Sequence, residues 1–196
     1  TGFDIESIEM LFQLGLEIFK IPSGEITNLP YIREVASFGK PIIMSTGMAT
    51  MQEINDAFYA LINCGIQKKD ITILQCTSAY PTPLDEINLK VLETIKNEFD
   101  VNTGISDHSS GIAVAIGSIA LGATIVEKHL TLDRHLPGPD HLASIEEEEF
   151  NKMVQGIRDI EIALGDGNKK PTISELKNKK HVRKSLVAKR KISIGE

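Results

Sequence analysis

Two histidines carry the most chemical weight in this chain. His108 follows the apolar run Val101–Ile105 through Ser106 and Asp107, and His129 lies in the run Thr124–Leu130. Neutral imidazole is a common ligand for divalent transition metals, and a pair leaves positions open for water or substrate. In an extended segment side chains alternate, so Glu127 and His129 share one face and Lys128 takes the other. Singly, either histidine reads better as a hydrogen-bonded core residue; matched positions at the ends of neighbouring runs favour the metal pair. A second constellation is Lys20-Ile21-Pro22-Ser23-Gly24-Glu25. Its point charge, hydroxyl and accessible amides suit a phosphate or carboxylate, while an ordinary βα turn is the bland reading. In Tyr80-Pro81-Thr82-Pro83 two prolines stiffen a loop that is either a plain connector or a fixed mount for Tyr80. Pro137-Gly138-Pro139-Asp140-His141 holds Asp140 where a carboxylate can accept hydrogen bonds from sugar hydroxyls.

These groups need a scaffold, and the runs between them supply one. Leu16–Ile21, Pro41–Ser45, Ile71–Thr77, Val101–Ile105 and Thr124–Leu130 are near-continuously apolar, as parallel strands covered on both faces are. Between them, Met51, Ile54, Ala57, Phe58, Leu61 and Ile62 follow helical spacing, as do Phe150, Met153, Val154, Ile157, Ile160 and Leu164. Thr50–Glu53 and Ser144–Glu147 both read as capping boxes. The order is a helix and then repeated βα units, which fits an open doubly wound sheet or a closed barrel. No GxGxxG opens a helix. Polar residues end every run: Lys20 and Ser23, Ser45 and Thr46, Thr77 with Ser78 and Tyr80, Ser106 through His108, and Glu127 through His129. A barrel brings all strand ends to one mouth, whereas an open sheet uses only those beside its switch point. The predicted fold is therefore α/β, the C-terminal portion of a TIM (β/α)₈ barrel truncated on its N-terminal side. Residues 1–168 form that partial barrel, and 169–196 form a solvated linker.

Composition bounds the function. The chain has 196 residues, a formal net charge of −6, 41% hydrophobic residues and 24% charged ones. That is a globular composition with nothing suggesting a general nucleic-acid or anionic-membrane binder. Cys64 and Cys76 show no metal or disulfide spacing, and Cys76 reads as a small buried residue. The most apolar window, Gly111–Gly122, falls well short of the roughly 20 residues of a membrane span. The expected compartment is the cytoplasm.

Taken together, the motifs resemble the N-acetylneuraminate (sialic acid) synthase family, including the related legionaminic acid synthases. Lys20–Glu25 is similar to its Lys-Ile-x-Ser-Gly-Glu element, Cys76–Pro81 to its Cys-Thr-x-x-Tyr-Pro, and Gly104–His108 to its Gly-x-Ser-Asp-His. Glu127-Lys128-His129 with Pro137–Asp140 resembles its most distinctive pair, and Arg183–Ala188 its linker into a small antifreeze-like (SAF) domain. The resemblance implies condensation of phosphoenolpyruvate with an N-acylated mannosamine-type aldose, giving a nine-carbon 2-keto acid and phosphate with a divalent metal, Mn²⁺ or Mg²⁺. N-acetylmannosamine is the first acceptor it suggests, and a 6-deoxy diacetamido sugar of the legionaminic acid type the second.

By position, the resemblance implies His108 and His129 as metal ligands. Lys20, Ser23, Ser106 and Thr1 would hold phosphoenolpyruvate with Ser78 nearby, where relatives can carry asparagine. Glu25, Tyr80 and Asp140 would contact the amino sugar, and Glu127 would handle a proton or order the attacking water. It also implies a homodimer, with the SAF domain reaching across to the partner's sugar site. The first strands and that domain lie outside the motifs present, so the chain alone is expected to be weak or inactive. Two other classes compete: a barrel fragment serving only assembly, and a Schiff-base aldolase. The latter needs an inward lysine, whereas alternation turns Lys128 outward.

Overall fold

Along each strand the side chains divide between two faces, and the division explains the architecture. In the computed structural model, which describes residues 1–196, Phe19, Ile21, Ile42, Met44, Ile71 and Ile73 are all buried in one cluster. Ile32, Val35, Ala57, Phe58, Leu61 and Ile95, all from helices, complete that cluster. The same face continues through Ile105 and Val126, which pack near Val114, Ile119 and Ile157. The helices that supply these residues therefore cover one side of the sheet. Lys20, Leu74, Cys76, Ser106 and Glu127 alternate with these residues and look the other way.

The strands are β1 (Phe19–Ile21), β2 (Ile42–Ser45), β3 (Ile71–Cys76), β4 (Asn102–Asp107) and β5 (Ile125–Lys128). They form one parallel sheet in the order β1-β2-β3-β4-β5, each strand pairing with the next in sequence. Right-handed crossovers that always advance in one direction leave every helix on one face. A doubly wound sheet reverses direction and covers both. The five βα units are thus part of a TIM-type barrel, as expected.

The connecting helices are α1 (Ile5–Gln13), α2 (Leu29–Ser37), α3 (Met51–Asn63), α4 (Val91–Phe99), α5 (Ala113–Ala120) and α6 (Glu147–Leu164). Asp4 caps α1 through the Ser7 amide, and Thr50 and Glu53 form the expected capping box on α3. The second expected box does not form. The Ser144 hydroxyl donates to the Asp140 carbonyl instead, and Ile145 bridges Leu130 in extended conformation, so α6 starts at Glu147. Tertiary pairing outcompetes the local cap.

Strand limits also shift. Leu16 belongs to a helix stop: Gly15 takes positive φ, and the amides of Gly15 and Leu16 return to the carbonyls of Phe12 and Leu11. That closure delays β1 to Phe19. β4 extends to Asp107, two residues past the apolar run. β5 ends at Lys128, after which the His129 carbonyl accepts from the Ile145 amide.

The chain divides into Thr1–Leu164 and Gly165–Glu196. The second unit, expected as linker, holds an exposed helix α7 (Ile173–Val182) with a Thr172/Glu175 capping box. No helix is long and apolar enough to cross a membrane.

Candidate active site

Register builds the site. Cys76 pairs with Ser106 across β3 and β4, and Ser106 with Glu127 across β4 and β5. On the inner face these are adjacent positions, and the Ser106 hydroxyl donates to Glu127 Oε1 at 2.6 Å. Lys20, arriving on β1, brings its Nζ to 3.2 Å from the same oxygen. Ser106 is buried, while Glu127 and Lys20 are partly exposed at the rim.

One pleat further along lie the two histidines. The ring centroids of His108 and His129 are 5.3 Å apart with planes at 82°. His108 is buried, and its Nδ1 lies 2.8 Å from the Thr77 carbonyl. A carbonyl can only accept, so Nδ1 carries the proton and Nε2 keeps a free lone pair. The Ser106 hydroxyl stands 3.5 Å from that nitrogen. His129 Nδ1 is 3.8 Å from Asp140 Oδ2. Tyr80 covers both rings, with centroids 4.2 Å from His108 and 5.4 Å from His129. The mount is Thr82, whose amide donates to the His108 carbonyl and whose hydroxyl donates to Ala79. The Tyr80–Pro81 bond is cis.

At the β1–β2 side, the Gly47 amide donates to Ser23 Oγ at 2.9 Å. A Cβ on Gly47 would run into the hydroxyls of both Ser23 and Ser78, so only glycine lets these two approach. Ser23 in turn donates to Cys76 Sγ at 3.5 Å. Two expected residues sit apart from this cluster. Glu25 accepts from the Asn28 amide at 2.7 Å, and Thr1 donates to the Lys20 carbonyl at 2.6 Å, behind rather than beside the ammonium. His141 bonds Thr131 and His135 bonds Asp133, so both are loop residues.

Cys76 is buried as expected, but it lies within the site, 3.9 Å from His108 Nδ1. Burial pushes its thiol up, yet the hydrogen bonds from His108 and Ser23 pull harder and leave it below its ordinary value. Burial pushes His108 down, and the Cys76 thiol and Thr77 carbonyl outweigh it, leaving the imidazole above its ordinary value. Tyr80 is raised, first by burial and then by the charges of Cys76, Asp140 and Glu127.

No third His, Cys, Asp or Glu joins the histidine pair in a metal-holding group. Two imidazoles, one with its tautomer fixed by a carbonyl, nevertheless suit a divalent ion whose other ligands are water or substrate oxygens. His108 and His129 are the residues that would hold it.

The model of the NeuB family matches residues 1–169. The chain belongs to that family. N,N'-diacetyllegionaminic acid synthase from Campylobacter jejuni is 50% identical over 196 residues, covering all of this chain and 59% of the relative. Human N-acetylneuraminate-9-phosphate synthase is 36% identical, covering all of this chain and 54% of its own length. Among solved structures, N-acetylneuraminic acid (sialic acid) synthetase from Leptospira borgpetersenii, in complex with citrate, superposes with a TM-score of 0.83 at 35% identity. It covers 91% of this chain and 62% of that one. A truncated 3-deoxy-D-arabino-heptulosonate 7-phosphate synthase from Thermotoga maritima, 17% identical with a TM-score of 0.71, shares the fold. The chain thus spans just over half the length of the curated NeuB relatives it matches. These NeuB members are synthases of nonulosonic acids.

Proposed function

We propose that this chain carries the metal and phosphoenolpyruvate half of a nonulosonate synthase, condensing phosphoenolpyruvate with an N-acylated amino aldose and releasing phosphate. The observation that carries the reading is the joined rim: two imidazoles 5.3 Å apart, with Ser106, Glu127 and Lys20 linked immediately below them. His108 and His129 would hold Mn²⁺ or Mg²⁺, which would supply Lewis-acid polarisation of the open-chain aldehyde. Lys20 turns from Glu127 to the anionic substrate, while Ser106, Ser23 and Ser78 donate to its phosphate or carboxylate. Thr1 supports this set through the Lys20 backbone.

The enol carbon of phosphoenolpyruvate attacks the aldehyde, water adds at the carbon bearing the phosphate, and C–O cleavage expels phosphate. Glu127, released by Lys20 as that ammonium turns to the substrate, is the base that orders this water. Tyr80 walls the aldehyde side, and Asp140 and Glu25 meet the sugar. Two copies associate as a homodimer in this reading, as in the family the motifs resemble.

Between acceptors, similarity to two N,N'-diacetyllegionaminic acid synthases at 50% and 45% identity, against 36% for the human sialic acid relative, favours a 6-deoxy diacetamido sugar over N-acetylmannosamine. The test is a chimera in which residues 1–196 replace the matching segment of the Campylobacter jejuni relative. With phosphoenolpyruvate and Mn²⁺ it should release phosphate with the diacetamido sugar. Release only with N-acetylmannosamine would return the choice to sialic acid. No release with either, from a folded chimera, would defeat the proposal.

A further inference from the structure

We infer that Asp107 and Lys128 are a positioning pair that aims the two imidazoles from the far side of the sheet. Both side chains are almost wholly buried, at 1% and 2% exposure, and Lys128 Nζ lies 2.8 Å from Asp107 Oδ2. The ammonium also donates to the Ser109 carbonyl at 2.7 Å, and the carbonyl of Asp107 lies 3.5 Å away. The second carboxylate oxygen accepts from both the amide and the hydroxyl of Ser109, at 2.8 and 2.6 Å. The turn Asp107-His108-Ser109 is therefore folded around one lysine head group, and His108 is its middle residue. Lys128 directly precedes His129.

These groups face the helices, whereas the imidazoles face the barrel interior, so the pair has no route to substrate. Stability is a weak reason to keep it. Burying two charges is costly, and apolar replacements of similar volume are often as stable. What an apolar pair lacks is direction. The lysine ties two strand ends together at one point immediately before each histidine, which limits how either ring can move relative to the other.

The inference rests on the reading of His108 and His129 as a divalent-cation site, and the test separates the two. Asp107→Asn with Lys128→Met removes both charges at near-constant volume; it keeps the two bonds that Ser109 donates to residue 107 and gives up the one from Lys128 to the Ser109 carbonyl. In metal-free protein, nitrogen-15 NMR of the histidines should show the protected His108 Nδ1–H of the native chain become exchange-broadened in the double variant. Mn²⁺ affinity, by titration calorimetry, should fall 10- to 100-fold while circular dichroism and the melting transition stay native. Leu92→Ala, a core cavity in α4, should lower the melting temperature and leave Mn²⁺ affinity unchanged. A double variant that loses its fold, or keeps both the His108 signal and native affinity, overturns the inference. If the native chain binds no Mn²⁺, the metal reading falls, and the imidazole signal alone still decides the pair.

Discussion

At the residue scale, the decisive contact is the Ser106–Glu127–Lys20 chain, because it links a carboxylate, a hydroxyl and an ammonium on three strands. Glu127→Gln keeps an acceptor for Ser106 but removes the base. In the chimera, turnover should drop by about 10²- to 10⁴-fold with Mn²⁺ affinity nearly unchanged, as phosphate-release kinetics and calorimetry would register. His108→Ala with His129→Ala should have the opposite signature, abolishing Mn²⁺ binding to the chain itself. These residues were legible because each is a polar side chain at the end of an apolar run. Thr77 was not legible as the group that orients His108, since its backbone carbonyl looks like any other in a sequence. Cys76 was read correctly as buried. Its nearness to His108 and Ser23 depends on the β1 and β4 turns, which spacing along the chain does not encode.

At the element scale, pairing decides what local signals leave open. Ser144–Glu147 has the residues of a capping box, but Ile145 finds a strand partner in Leu130 and the box is lost. Strand starts were blurred for a similar reason, since apolar Leu16 serves the stop of α1. Glycines separate the two kinds of constraint. A Cβ at Gly104 would strike the Ile125 carbonyl and Leu74 Cδ2, which sit between paired strands. Gly104→Ala should cost about 1–3 kcal/mol or more in denaturant unfolding. Gly117 lies within α5, and a Cβ there meets only Leu89 Cδ1 at 3.8 Å. Gly117→Ala should therefore stabilise by about 0.5–1 kcal/mol.

At the scale of the whole molecule, the barrel reading came from polar residues at every strand end, a pattern an open sheet has no reason to produce. The sheet is open at β1 and β5, each with one unpaired side, and Phe3, Met10 and Leu14 are exposed nearby in sequence. Sedimentation should show concentration-dependent association of this chain, as unpaired edges invite. Alkaline stability is set at the same end. Tyr31 is buried, donates to the Gly2 carbonyl at 2.5 Å, and is pushed up to about 12, first by burial and then by Glu25. The folded state thus holds this proton more tightly than the unfolded chain, where tyrosine titrates near 10. Its contribution is complete below about pH 10 and is lost as pH rises toward 12. Tyr31→Phe should flatten that part of the stability curve.

The pairings Ser106–Glu127 and Asp107–Lys128 both span 21 residues, and adding 21 to 108 gives 129. Carboxylate and tether therefore occupy the last two rungs of one ladder, and the imidazoles stand one position beyond it on each strand. A ladder fixes its rungs by hydrogen bonding, whatever the length of the rail outside it. Insertions at Ser110 and Gly111, ahead of α5, change that count without moving the paired strands, so a loop-length library there should vary the mouth's outer contour while leaving the paired residues in place.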